Sequence, residues 1–223
     1  LSLAGYMPVW EPLLIYALGT LWYGLFNWFW FWIWREQPLR ESLSLLYREL
    51  ADYCEAKYSL LTQHTDPEKA LPPLLVRQQK AVDLITQCYQ QMHMLSAQNN
   101  TDYKRMLRIF QEALDLQEHI SVSLHQPEEV QKLVERSHAE EVIRWNAQTV
   151  AARLRVLADD ILYHRLPTRF TMEKQIGALE KIARQHPDNP VGQFCYWHFS
   201  RIARVLRTQK PLYARDLLAD KQR

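Results

Sequence analysis

The residues best suited to chemistry stand in pairs about one helical turn apart. Glu135 and His138 form a Glu-x-x-His pair. That is half of the di-metal carboxylate pattern, which needs two such pairs and two further carboxylates on facing helices. A second pair is absent, and Glu140 and Glu141 beside the first read better as a solvated charged face. Asp115/His119 and Asp160/His164 have the i,i+4 spacing of helix-surface pairs. Cys195 and His198 are one turn apart, but a nucleophile also needs an orienting acid and an oxyanion site. Their neighbours Phe194, Tyr196, Trp197 and Phe199 speak for packing instead. The chain has only 5 glycines, too scattered to form a phosphate loop. These residues predict no enzyme, no catalytic or metal-binding group and no cofactor.

Arg201, Arg204 and Arg207 form a basic stripe at a spacing of three, with Lys210 beyond. They read either as ordinary solvated cations or as partners of anionic lipid headgroups. A formal net charge of +2 argues against a nucleic-acid partner. The 3 cysteines, Cys54, Cys88 and Cys195, are odd in number, far apart and without a CxxC pair. They are expected as reduced thiols on helices.

The elements that must carry these residues fall into two kinds. A mean hydropathy of -0.35 averages over an apolar start and a polar remainder. From Leu13 to Trp34 the sequence LLIYALGTLWYGLFNWFWFWIW holds no ionisable group other than tyrosine. As a helix it would be roughly 33 Å long, against a bilayer core of about 30 Å. It is therefore predicted to span a membrane. Pro12 suits the first turn, where its missing N–H has no partner in any case. Trp28, Trp30, Trp32 and Trp34 crowd the far end, where indoles favour the headgroup level. Arg35, Arg40 and Arg48 follow, and no Lys or Arg precedes the run, so the residues after 35 are predicted to be cytoplasmic. Asn27 is the one strongly polar side chain within it, a candidate polar contact to another membrane helix. The chain begins at Leu1 without a basic segment or a cleavage site, so it reads as a segment of a longer protein rather than a secreted one.

Beyond Pro38 the apolar residues recur in steps of three and four, predicting about six helices. The first carries Leu39, Leu43, Leu46, Leu50, Tyr53 and Lys57/Tyr58 on one stripe and ends near Gln63. A loop is expected from Thr65 to Pro73, and a second helix from Pro73 to Gln98 with Leu74, Ala81, Leu84/Ile85, Cys88, Met92 and Leu95 inward. A third runs from Asp102 to His125. A fourth, starting at Pro127, could continue to His164, with Val130, Leu133/Val134, Val142, Trp145, Val150, Leu154, Leu157 and Ile161 buried. A shorter helix spans Thr171 to Gln185, then the turn His186-Pro187-Asp188-Asn189-Pro190, then a last helix from Val191 to about Thr208. A polar tail is expected from Pro211. No alternating run is long enough for a strand. The predicted fold is all-α: one transmembrane helix followed by a cytoplasmic bundle.

The aromatic run leads into WREQPLRESLSLLYRELADYCEAKYSLL and then LPPLLVRQQKAVDLITQCYQQMHML. This resembles the YccS/YhfK family of Gram-negative inner-membrane proteins, most closely its YhfK branch, and is most specific from Trp22 to Leu95. The family is grouped with fusaric acid resistance proteins and aromatic-acid exporters. The resemblance implies a multi-pass inner-membrane protein with two membrane halves and a helical cytoplasmic region between them. Residues 1–37, with the span at 13–34, would close the first half. Residues 38–210 would be the cytoplasmic domain, and 211–223 a linker toward the second half. It implies a transporter-like protein that exports small organic (aromatic) acids; the alternative is a membrane-tethered interaction or sensory domain without transport. The partners implied are the lipid bilayer, the other membrane helices of the full-length protein and further copies of itself.

Overall fold

The computed structural model describes residues 10–33, 36–62, 67–95, 101–121, 127–136, 138–163, 165 and 170–220. Among them are eight helices and no strand. The chain divides into two units, residues 1–38 and 39–223.

The first unit is built on helix α1, Trp10–Ile33. Every side chain described from Leu13 to Trp30 is exposed. Among the described residues no helix is long and apolar enough to cross a membrane. For α1 the shortfall comes from composition. Trp10, Trp22, Trp28, Trp30, Trp32, Tyr16 and Tyr23 lower its mean hydropathy, although their large rings are amphipathic rather than polar.

The second unit is organised around α2, Gln37–Thr62, whose predicted stripe is buried throughout, from Leu39 to Tyr58. The unit continues with α3 (Pro67–Leu95), α4 (Thr101–Ser121), α5 (Pro127–Arg136), α6 (Glu140–Leu162), α7 (Glu173–Gln185) and α8 (Pro190–Asp220). Polar side chains tie α2 to its neighbours. The Tyr47 hydroxyl donates to Ile109 O at 3.0 Å on α4. Gln131 Nε2 on α5 donates to Leu60 O at 2.6 Å. Helix α8 packs against α4, α5, α6 and α7, and Phe199 and Ile202 on it are fully buried.

Three boundaries differ from those expected. Helix α3 starts at Pro67, so the predicted loop is helical from there, with Pro72 and Pro73 inside it. Each removes a donor to the turn before, but both are exposed, where water can satisfy the freed carbonyls. Helix α8 continues through Pro211 to Asp220, beyond the stop expected near Thr208.

The third difference is a joint. The single long helix expected from Pro127 to His164 is two. His138 has φ 51, its N–H donates to Glu135 O at 3.1 Å, and Ala139 N–H donates to Val134 O at 3.3 Å. These paired 5→2 and 6→1 bonds make a Schellman ending, with His138 at the left-handed position that glycine usually takes. Ala139 and Val134, the two positions where such an ending places its apolar contact, are both buried. The joint resets the helical phase, so Ile143, Asn146, Ala147 and Val150 face inward and Trp145, expected inside, is 46% exposed.

The turn before α8 is as expected. Asn189, buried, accepts from Val191 N–H at 3.0 Å and donates to Leu133 O at 2.8 Å. It thus caps α8 and anchors that start to α5. Gly192 faces the α7 backbone at Ala183, where an added Cβ would make only an ordinary contact at 3.5 Å from Ala183 Cα.

Candidate functional site

A concentration of opposed charge lies where α2, α3 and α6 meet. Glu49, Asp52 and Glu55 follow each other by three residues along one flank of α2. Spacing of three keeps them close to one face while α2 buries its apolar stripe. From α3, Lys80 Nζ lies 2.5 Å from Glu49 Oε2, and Arg77 Nη1 lies 3.4 Å from Glu49 Oε1 and 3.3 Å from Asp52 Oδ2. From α6, Arg155 Nη2 reaches Asp52 Oδ1 at 2.7 Å and Glu55 Oε2 at 2.5 Å. The result is a continuous ladder of alternating charge across three helices. The Glu49 side chain is only 5% exposed. Lys80 and Arg77 supply the opposite charge and the hydrogen bonds that a carboxylate buried to that degree needs. Hydrogen bonds to Glu55 and then Asp52 raise the Arg155 guanidinium above its usual value.

The ladder borders a cavity of about 430 Å³ lined by Asp52, Glu55, Ser59, Arg77, Arg144 and Arg155 among others. Arg144 is the least engaged of its arginines, with Glu141 at 4.0 Å. A small carboxylate entering here would meet three guanidinium groups, but would compete with Asp52 and Glu55 for two of them.

A second polar group lies inside the bundle. Lys57 is buried and donates to Ile120 O at 2.5 Å, in the last turn of α4. A cation suits that carbonyl end of the helix. Burial lowers the Lys57 amine to about 8, against the opposing pull of Cys54 and Cys195. His198 on α8 is 0% exposed, and neither ring nitrogen has a hydrogen-bond partner among the described residues. Its ring stacks on Phe194 at 5.2 Å and lies 6.4 Å from the Tyr58 ring. Burial, followed by Lys57, His119 and Arg201, lowers the His198 imidazole to about 4. Burial pushes the Cys195 thiol up to about 12. A neutral imidazole beside a protonated thiol is packing, not an activated nucleophile.

The sequence candidates are spread over the molecule. Trp28, Trp30 and Asn27 are exposed on α1, and Trp30 stacks on Phe26 at 5.9 Å. Trp34, Arg35 and His164, and the side chain of Trp32, lie outside the described residues. Glu135 and His138 do not share a helix face, since His138 sits in the joint after α5. No group of three potential metal ligands occurs among the described residues. Arg201, Arg204 and Arg207 are all exposed on α8. Arg201 lies 4.0 Å over the Trp197 ring and Arg207 is 3.5 Å from Glu173. The ladder was the feature not anticipated. Its signal was present in the three acids spaced by three beside an apolar stripe, but their cations come from other helices.

With the aromatic helix and the bundle in place, the comparison with known families is decisive. Residues 1–217 match the family model described as FUSC-like inner membrane protein yccS. The chain belongs to that family. The FUSC-like match takes in the whole of the first unit and the second as far as residue 217 in α8. It bears out the resemblance to the YccS family without singling out the YhfK branch, and it places the protein with inner-membrane proteins of bacteria. No solved structure matches the chain.

Proposed function

We propose that α1 crosses the inner membrane and that the bundle is the cytoplasmic domain of a multi-pass, transporter-like protein exporting small organic acids, aromatic ones among them. The observation that carries this reading is α1 itself. It is 24 residues long, roughly 36 Å at helical rise, carries no charge from Leu13 to Ile33, and exposes its described apolar side chains all round. Exposed Leu, Ile and Phe on every side suit a helix surrounded by lipid or by other membrane helices. Its aromatic residues fit the same setting, with Trp28, Trp30, Trp32 and Trp34 grouped at the end followed by Arg35. Asn27 then needs a partner, because an amide in lipid is costly, and another helix of the same protein would supply it.

Membership of an inner-membrane family supports the location, and the resemblance to proteins grouped with aromatic-acid exporters supports the substrate class. The test is accumulation of aromatic carboxylic acids in cells lacking or overexpressing the full-length gene. Deletion should raise intracellular acid and overexpression lower it. Equal accumulation across a panel of such acids would remove the export reading.

A further inference from the structure

We infer that the bundle associates with a second copy of itself about a two-fold axis through α4, each α4 lying in the apolar groove between α3 and α4 of the other. This rests on the surface of the bundle and is independent of what the protein transports.

The groove is open and apolar. Tyr89 and Met92 from α3 and Tyr103, Leu107 and Leu114 from α4 line a cavity of about 340 Å³. On α3 it continues into a line of apolar side chains left uncovered. Leu75 is 55% exposed, Val82 39% and Tyr89 63%. These three are seven residues apart in turn, the repeat that keeps one face of a helix against another over several turns. A large exposed apolar surface of this kind marks an interaction site.

The charges beside the groove identify the occupant. Lys104, Gln111 and Glu118 on α4 are also seven apart, and all three are exposed. Neither Lys104 nor Glu118 makes an ion pair among the described residues. Gln111 itself lines the cavity. The line is positive at one end, neutral in the middle and negative at the other. A second α4 laid antiparallel across it, with the axis at Gln111, places Lys104 opposite the Glu118 of the second copy and its Lys104 opposite Glu118. Gln111 then meets its own equivalent. A parallel copy would set like charges together. A two-fold contact must be self-complementary, and this line is so only in the antiparallel sense.

The test uses the full chain in mild detergent. Gln111→Cys should form a disulfide-linked dimer on mild oxidation, because two-fold symmetry brings position 111 against itself. Glu141→Cys, whose native side chain is 89% exposed on α6, should not. Lys104→Glu should weaken dimerisation by about tenfold, because it puts two carboxylates together at both ends of the contact. Adding Glu118→Lys to Lys104→Glu should restore it. Tyr89→Lys should weaken the dimer while leaving the helical spectrum unchanged, since Tyr89 is mostly exposed. A chain that is monomeric, or that dimerises through α1 alone so that neither charge reversal nor Tyr89→Lys alters association and position 111 does not cross-link, would overturn the inference.

Discussion

His198 shows what a single buried ring can do to the response of the whole bundle to acid. The unfolded chain takes up a proton on this residue near its ordinary value of 6.5, whereas the folded chain resists until about 4. Between those limits the unfolded state holds more protons, so stability is present above 6.5 and is lost as the pH falls toward 4. The gap corresponds to an effect on the order of 3 kcal/mol. His198→Phe keeps the stacking on Phe194 and removes both unpaired nitrogens. Urea unfolding of the full chain in detergent should then show stability at pH 7 within about 1 kcal/mol of the native protein. The loss between pH 6.5 and 4 should shrink by most of that larger amount. An acid dependence as steep as before would assign it to another group. The sequence placed His198 among aromatic residues and so read it as packing. The burial of Lys57 was also legible, because it sits on the stripe with Tyr53 and Tyr58. Its bond to the end of α4 was not, since that contact crosses more than sixty residues of sequence.

At the scale of elements, the α2 stripe was fully readable because nothing interrupts its period. The joint between α5 and α6 was not. Both halves are amphipathic, and neither Gly nor Pro stands between Val134 and Ile143 to announce a break. A histidine holds a backbone conformation that costs most residues roughly 1 kcal/mol or more, offset by the two hydrogen bonds of the Schellman ending and the burial of Ala139. His138→Gly should therefore stabilise the bundle by about 1 kcal/mol, because glycine adopts this conformation without steric cost. His138→Val should destabilise it by at least as much. Equal melting of the two variants would mean the joint is not held in the left-handed conformation. The ends of α3 and α8 were misjudged for a related reason. Pro72, Pro73 and Pro211 are strong local stop signals, and each lies within a helix that outlasts it.

For the whole molecule, composition changes after Trp34 from an aromatic run to a polar remainder, and the structure has two compact units, residues 1–38 and 39–223. How the bundle is held together could not be read from one helix at a time. The ion ladder depends on α3 and α6 meeting the same flank of α2, a product of tertiary packing that no local spacing specifies. The proposed orientation of α1 carries its own prediction. In the full-length protein in intact cells, Glu11→Cys should react with a membrane-impermeant thiol reagent added outside. Arg40→Cys should react only after the membrane is opened. The opposite pattern would reverse the orientation, and reaction at both positions from outside would remove the span.

The three cysteines carry a further consequence. Cys54 on α2, Cys88 on α3 and Cys195 on α8 are each 0% exposed and unpaired, and burial pushes each thiol up to about 12. A thiol in that state reaches a reagent in solution only when its helix parts from its neighbours and it regains its ordinary acidity. The native chain thus carries three built-in clocks, one on each of three helices. The order in which they are modified gives the order in which the bundle opens, and if α3 loosens before the core does, Cys88 will be the first to report it.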